Sequence, residues 1–147
     1  MGQAAMVGKD APVVRVQDFV KRYRKQMAVD GASLSIDRGE IYGLIGPDGA
    51  GTSRLMKAIA GVLSFDGGTL HVFGEKIDSE AAAERVKGRL GFMPQGLGLN
   101  LYPELSVEEN IDFFAELRDV PPAELAQRKH KLLAMTRLDN FRDRPMK

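Results

Sequence analysis

Between Ile41 and Val62 the chain passes from a nearly continuous apolar run, through a segment crowded with glycine, into residues spaced for a helix. That order leaves few folds open. Ile41-Tyr42-Gly43-Leu44-Ile45 predicts a strand buried on both faces. Leu55, Ile59 and Val62 recur at helical spacing. Between them lies Gly46-Pro47-Asp48-Gly49-Ala50-Gly51-Thr52-Ser53, where a strand-to-helix turn can wrap an anionic group in backbone amides. Glycines at 46, 49 and 51 permit positive φ and close approach, so that successive N–H groups converge at the positive end of a helix dipole. The Ser53 hydroxyl is then the expected ligand of a phosphate-bound magnesium ion. A glycine-rich turn with no ligand is the bland alternative for this segment taken alone.

One position departs from the phosphate-loop pattern, which asks for lysine directly after the last glycine, where this chain has Thr52. A threonine carries no charge and is too short to replace an ammonium. Losing one or two charge-assisted contacts of roughly 1.5–3 kcal/mol each weakens phosphate binding by about one to four powers of ten. Arg54 is the nearest cation, yet it lies about 200° around a helix from position 52, which argues against its filling the same slot.

The flanking elements alternate between strands and helices, the pattern of an α/β domain. Residues 1–12 are small, polar and aperiodic, and are expected to be flexible. Val13, Val14, Val16 and Phe19 predict a strand, and a second is expected over Ala28 to Ile36, where Ala32, Leu34 and Ile36 alternate with serines. Thr69 to Phe73 and Leu90 to Met93 predict further strands, and Ala81 to Lys87 a short helix. Ser106 with Glu109 forms a capping box for a helix reaching Leu117. Pro121 and Pro122 open another, on which Leu125, Leu132 and Leu133 are expected to share a face.

Taken together, Val16 to Tyr23, Arg38 to Gly51, Leu90-Gly91-Phe92-Met93-Pro94-Gln95 and Leu105-Ser106-Val107-Glu108-Glu109-Asn110 resemble the nucleotide-binding domain of ABC transporters. Within that family the chain is most similar to ATPases of bacterial drug and lipid export. The resemblance covers nearly the whole chain. It implies the N-terminal part of a phosphate-loop NTPase core with an antiparallel β subdomain, together making residues 13–95, and the start of a helical subdomain over 96–147. Its ligands would be ATP and Mg2+.

By the same resemblance, Tyr23 stacks on the adenine ring, and residues Gly46 to Ser53, with Arg54 beside them, surround the phosphates. Gln95 is the switch glutamine which, with Ser53, reaches the magnesium ion. Gly96 to Tyr102 corresponds to the loop that meets a membrane permease, with Leu97, Leu99 and Leu101 as apolar contacts. A second ATP-binding domain, paired head to tail, and a place at the inner face of the cell membrane through the permease complete the expectation. The family's signature motif, acidic pair and late histidine do not occur in this sequence, so no residue is assigned to catalysis and efficient hydrolysis is not expected of this chain. The competing reading is a scaffold module of a transporter complex with little or no nucleotide binding.

Composition narrows the alternatives. A net charge of +1 from 21 basic and 20 acidic residues gives no general pull toward nucleic acid. Lys21, Arg22, Arg24 and Lys25 around Tyr23, and Arg128 to Lys131, are therefore read as solvated faces rather than an RNA patch. The absence of cysteine excludes disulfides and thiolate metal sites and fits a reducing, cytoplasmic setting. His71 and His130 have no local partner at ligand spacing.

Overall fold

The computed structural model describes residues 11–24, 26–96 and 101–145. Of the expected flexible start, all but Ala11 and Pro12 lie outside that range. The chain divides into two compact units, one ending at Phe92 and the other beginning at Met93.

In the first unit, β1 (Val14–Tyr23) pairs with β2 (Gln26–Ile36) on one side and β3 (Gly67–Val72) on the other, and β3 with β4 (Glu75–Lys76). The order is β2-β1-β3-β4 and every pairing is antiparallel. β1 buries Val14 and Val16, then changes phase and buries Phe19 and Lys21. The irregularity in pairing between Val16 and Phe19 accounts for this: Asp18 takes a φ of 50° and its N–H donates to Ser33 Oγ at 2.9 Å. Gly68 is required opposite it, because a Cβ there would lie 2.4 Å from the Gln17 and Asp18 carbonyl oxygens.

α1 (Thr52–Ile59) lays Leu55 and Ala58 into the core with Val16, Phe19, Leu70 and Val72, and α2 (Glu80–Lys87) adds Ala83 and Val86. Phe19 and Phe65 pack with ring centroids 5.3 Å apart. Fully burying a side chain such as Phe19 or Leu70 contributes roughly 1.5–3 kcal/mol.

Two expected strands do not form. Ile41 to Ile45 is irregular, with Ile41 100% and Ile45 95% exposed, and Leu90 to Met93 is irregular with Met93 85% exposed. A strand buried on both faces depends on ladder neighbours. β1 is already flanked on both sides, and the described residues contain no parallel strand to receive these segments.

In the second unit, α3 (Val107–Glu116) begins at the expected capping box, both of whose bonds are present, and α4 (Pro122–Thr136) has proline in its first turn. Asn110 is buried. It accepts from the Tyr102 amide and donates to the carbonyls of Tyr102, Leu105 and Ser106, fixing the entry to α3. Val107 and Glu108 donate their amides to Arg144 and Arg142, so the returning chain satisfies the first turn of α3. Along α4, Leu133 is buried but Leu132 is exposed. Adjacent residues stand about 100° apart on a helix, so the two leucines divide between core and solvent instead of sharing a face. Among the described residues no helix is long and apolar enough to cross a membrane.

Candidate functional site: a glycine loop beside Tyr23

The loop from Gly46 to Ser53 closes on itself. Ala50 donates its amide to the Pro47 carbonyl at 3.0 Å, and a Cβ on Gly46 would come within 2.9 Å of Ala50 Cβ. Gly49 and Gly51 have φ of 86° and 87°, as their glycine identity demands. Gly51 is the N-cap of α1 and is pressed onto β2: a Cβ there would stand 2.3 Å from Val29 Cγ2 and 2.6 Å from the Ala28 carbonyl oxygen. Its carbonyl accepts from the Arg54 and Leu55 amides, which starts the helix. The N-terminus of α1 therefore has a backbone fold fixed against the sheet.

Among the described residues, no protein acceptor takes the N–H of Gly49, Gly51, Thr52 or Ser53. Free amides at the positive end of a helix are the groups that bind a phosphate. Asp48 and Pro47 form the exposed outer turn. Thr52 Oγ1 is 4.0 Å from the point where a Gly46 Cβ would stand, so position 52 directs its side chain into the closed loop. Ser53 is exposed at the start of the helix, open to an ion carried by the phosphates. No cluster of three or more His, Cys, Asp or Glu exists among the described residues. A magnesium ion here would take its ligands from a hydroxyl and from phosphate oxygens.

Tyr23 ends β1 and pairs with Gln26 across the hairpin tip, the residue being 45% exposed. The Arg54 guanidinium reaches from the first turn of α1 to 5.3 Å from the ring centroid, and Lys21 Nζ lies at the same distance. Tyr23 and the glycine loop thus belong to one neighbourhood, joined through Arg54. Gln95 is exposed and belongs to the other unit.

The solvated face expected around Tyr23 needs correction at Lys21, which is buried on β1 and pairs with Asp66 at 3.4 Å. The Arg22 amide, donating to Asp66 Oδ2 at 2.7 Å, and then Lys21 hold the Asp66 carboxyl below its usual range against a desolvation that raises it. Lys129 departs likewise from the exposed stretch expected on α4: it is partly buried between Glu108 at 2.9 Å and Asp112 at 2.7 Å. Lys25, Leu97 and Leu99 lie outside the described residues, while Leu101 and Tyr102 are exposed. The Arg54 contact escapes sequence reading because it joins residues 31 positions apart. A partial signal existed for Lys21, since period-two alternation puts it on the same face of β1 as Tyr23.

Comparison with known proteins agrees with this geometry. Residues 29–147 match the profile of the family described as ABC transporter. The chain is 37% identical over 136 residues to Nod factor export ATP-binding protein I of Ralstonia nicotianae, covering 92% of this chain and 41% of that protein. It is 33% identical to linearmycin resistance ATP-binding protein LnrL of Bacillus subtilis, over 82% of this chain and 38% of the relative. It is 35% identical to methionine import ATP-binding protein MetN of Rhizobium etli, over 86% and 35%. The chain thus spans about two fifths of the length of these relatives. A solved ATP-binding subunit of an ABC transporter superposes with a TM-score of 0.76 at 27% identity, over 89% of this chain and 53% of that one. CbiO1 from Clostridium perfringens, part of the ABC transporter complex CbiONQ, shares the fold with a TM-score of 0.77 at 24% identity, over 92% and 54%. With its glycine loop, its antiparallel sheet and these relatives in agreement, this chain belongs to the ABC transporter family, among that family's ATP-binding proteins.

Proposed function

We propose that this chain is the nucleotide-binding front part of the ATP-binding component of an ABC-type exporter, holding ATP with Mg2+ at a degenerate phosphate loop. The supporting observation is the loop itself: amides of Gly49, Gly51, Thr52 and Ser53 without protein acceptors at the head of α1, with Tyr23 linked to that helix through Arg54. In this reading the adenine stacks on Tyr23, a contact that needs only a flat π face. The amides of Gly46 to Ser53 take the phosphates, and the Ser53 hydroxyl serves the magnesium ion. A permease subunit and a second ATP-binding domain are the proposed partners, at the inner face of the membrane. Export is favoured by the Nod factor and linearmycin relatives, against the methionine importer.

Restoring the missing ammonium tests the reading. Thr52→Lys places the charge at a position whose side chain already points into the loop, and its affinity for a non-hydrolysable ATP analogue with Mg2+ should rise by about ten-fold or more in calorimetric titration. An unchanged dissociation constant would refute it. The scaffold reading rests on the uncharged Thr52 together with a Tyr23 ring already contacted by Arg54, and it gains if neither protein binds the analogue.

A further inference from the structure

The contact between Arg54 and Tyr23 joins the ring to the first turn of α1 and is not part of the phosphate-loop pattern. The Arg54 guanidinium lies 5.3 Å from the Tyr23 centroid, and among the described residues no carboxylate pairs with it, whereas the neighbouring Lys21 is committed to Asp66. The ring proposed to receive the base is therefore contacted by an uncommitted cation, carried on the same helix turn whose amides face the phosphates.

We infer that Arg54 is a specificity-determining residue that exchanges partners on binding: it stacks on Tyr23 in the empty protein, yields the ring to the base, and turns its charge to the polyphosphate. Its role rests on the nucleotide reading given above. Relative strengths decide the direction of the exchange. An exposed cation–π contact is weaker than the stacking of a nucleic-acid base on an aromatic ring, so an incoming base displaces the guanidinium. The displaced group remains tethered to the third residue of α1, beside an anion that Thr52 leaves without a lysine. It does not enter the lysine slot, which opens on another side of the helix. It acts from the rim, as a charge that a nucleoside without phosphates cannot use.

The two halves of a nucleotide should consequently respond to Arg54 with opposite signs. Arg54→Met keeps the aliphatic stem and removes the charge. In titrations of the full chain it should bind adenosine about two- to fivefold more tightly, because nothing competes for the ring. It should bind ATP roughly tenfold more weakly. Arg54→Lys should restore most of the ATP affinity. A change of the same sign for both ligands, or no change in either, overturns the exchange. Tyr23→Ala separates this failure from failure of the site: if the parent chain binds ATP and Tyr23→Ala weakens adenosine while Arg54→Met changes nothing, only the exchange is wrong. If the parent chain binds neither ligand, the nucleotide reading falls and the exchange with it. Circular dichroism of each variant verifies that the fold is retained.

Discussion

Gly51 carries more of the site than its size implies. It combines a left-handed φ of 87°, the capping position of α1 and a backbone pressed against Ala28 and Val29. Any Cβ there meets strain and overlap together, each costing about 1–3 kcal/mol. Gly51→Ala should therefore destabilise the first unit by at least about 2 kcal/mol, read as a lower urea midpoint, and should weaken nucleotide binding as the loop is pushed off β2. Gly49 has a similar φ but nothing within 4 Å of its would-be Cβ. Gly49→Ala should cost less, so comparing the two variants separates strain from collision.

At the level of elements, Lys129 of α4 bridges Glu108 and Asp112 of α3. Lys129 holds the Glu108 carboxylate below its usual 4.5, and the Ser106 amide does the same for Glu109 within the capping box. A depressed folded-state pKa means that the unfolded chain binds more protons in the interval between the two values. The stabilisation is present above about pH 4.5 and is lost as pH falls through the folded values. Lys129, raised by Asp112 and then Glu108, behaves oppositely: its contribution holds below its usual 10.5 and is lost as pH climbs through the folded value. Thermal melts followed by helical circular dichroism should show a lower midpoint for α3 and α4 as pH falls below about 4.5. Glu108→Gln, which removes one of the titrating acids, should flatten that pH dependence.

The whole molecule leaves apolar surface open. Ile41 and Ile45, in a segment with the composition of a central strand, stand almost wholly in solvent, and Met93 does likewise in its own unit. Surface of that kind promotes association. The chain on its own should self-associate at micromolar concentration, and the double variant Ile41→Lys, Ile45→Lys should scatter markedly less light at equal concentration. Equal scattering would mean that another surface drives association.

Several features were legible in the sequence for local reasons. The glycine loop, the helix that follows it, the capping box at Ser106 and the antiparallel strand pair all depend on residues close together in the chain, where backbone preference and hydrogen bonding act directly. The resemblance carried by the segments around Tyr23, the loop and Gln95 pointed to the family before any coordinates did. Tertiary structure decided the rest. It showed that Ile41 to Ile45 forms no strand, since a buried strand is a property of its neighbours and not of its own residues. It broke the alternation of β1 at Asp18, buried Lys21 against Asp66, and laid Arg54 over Tyr23. Each of these is a contact between distant positions, and only the folded chain brings their partners within reach.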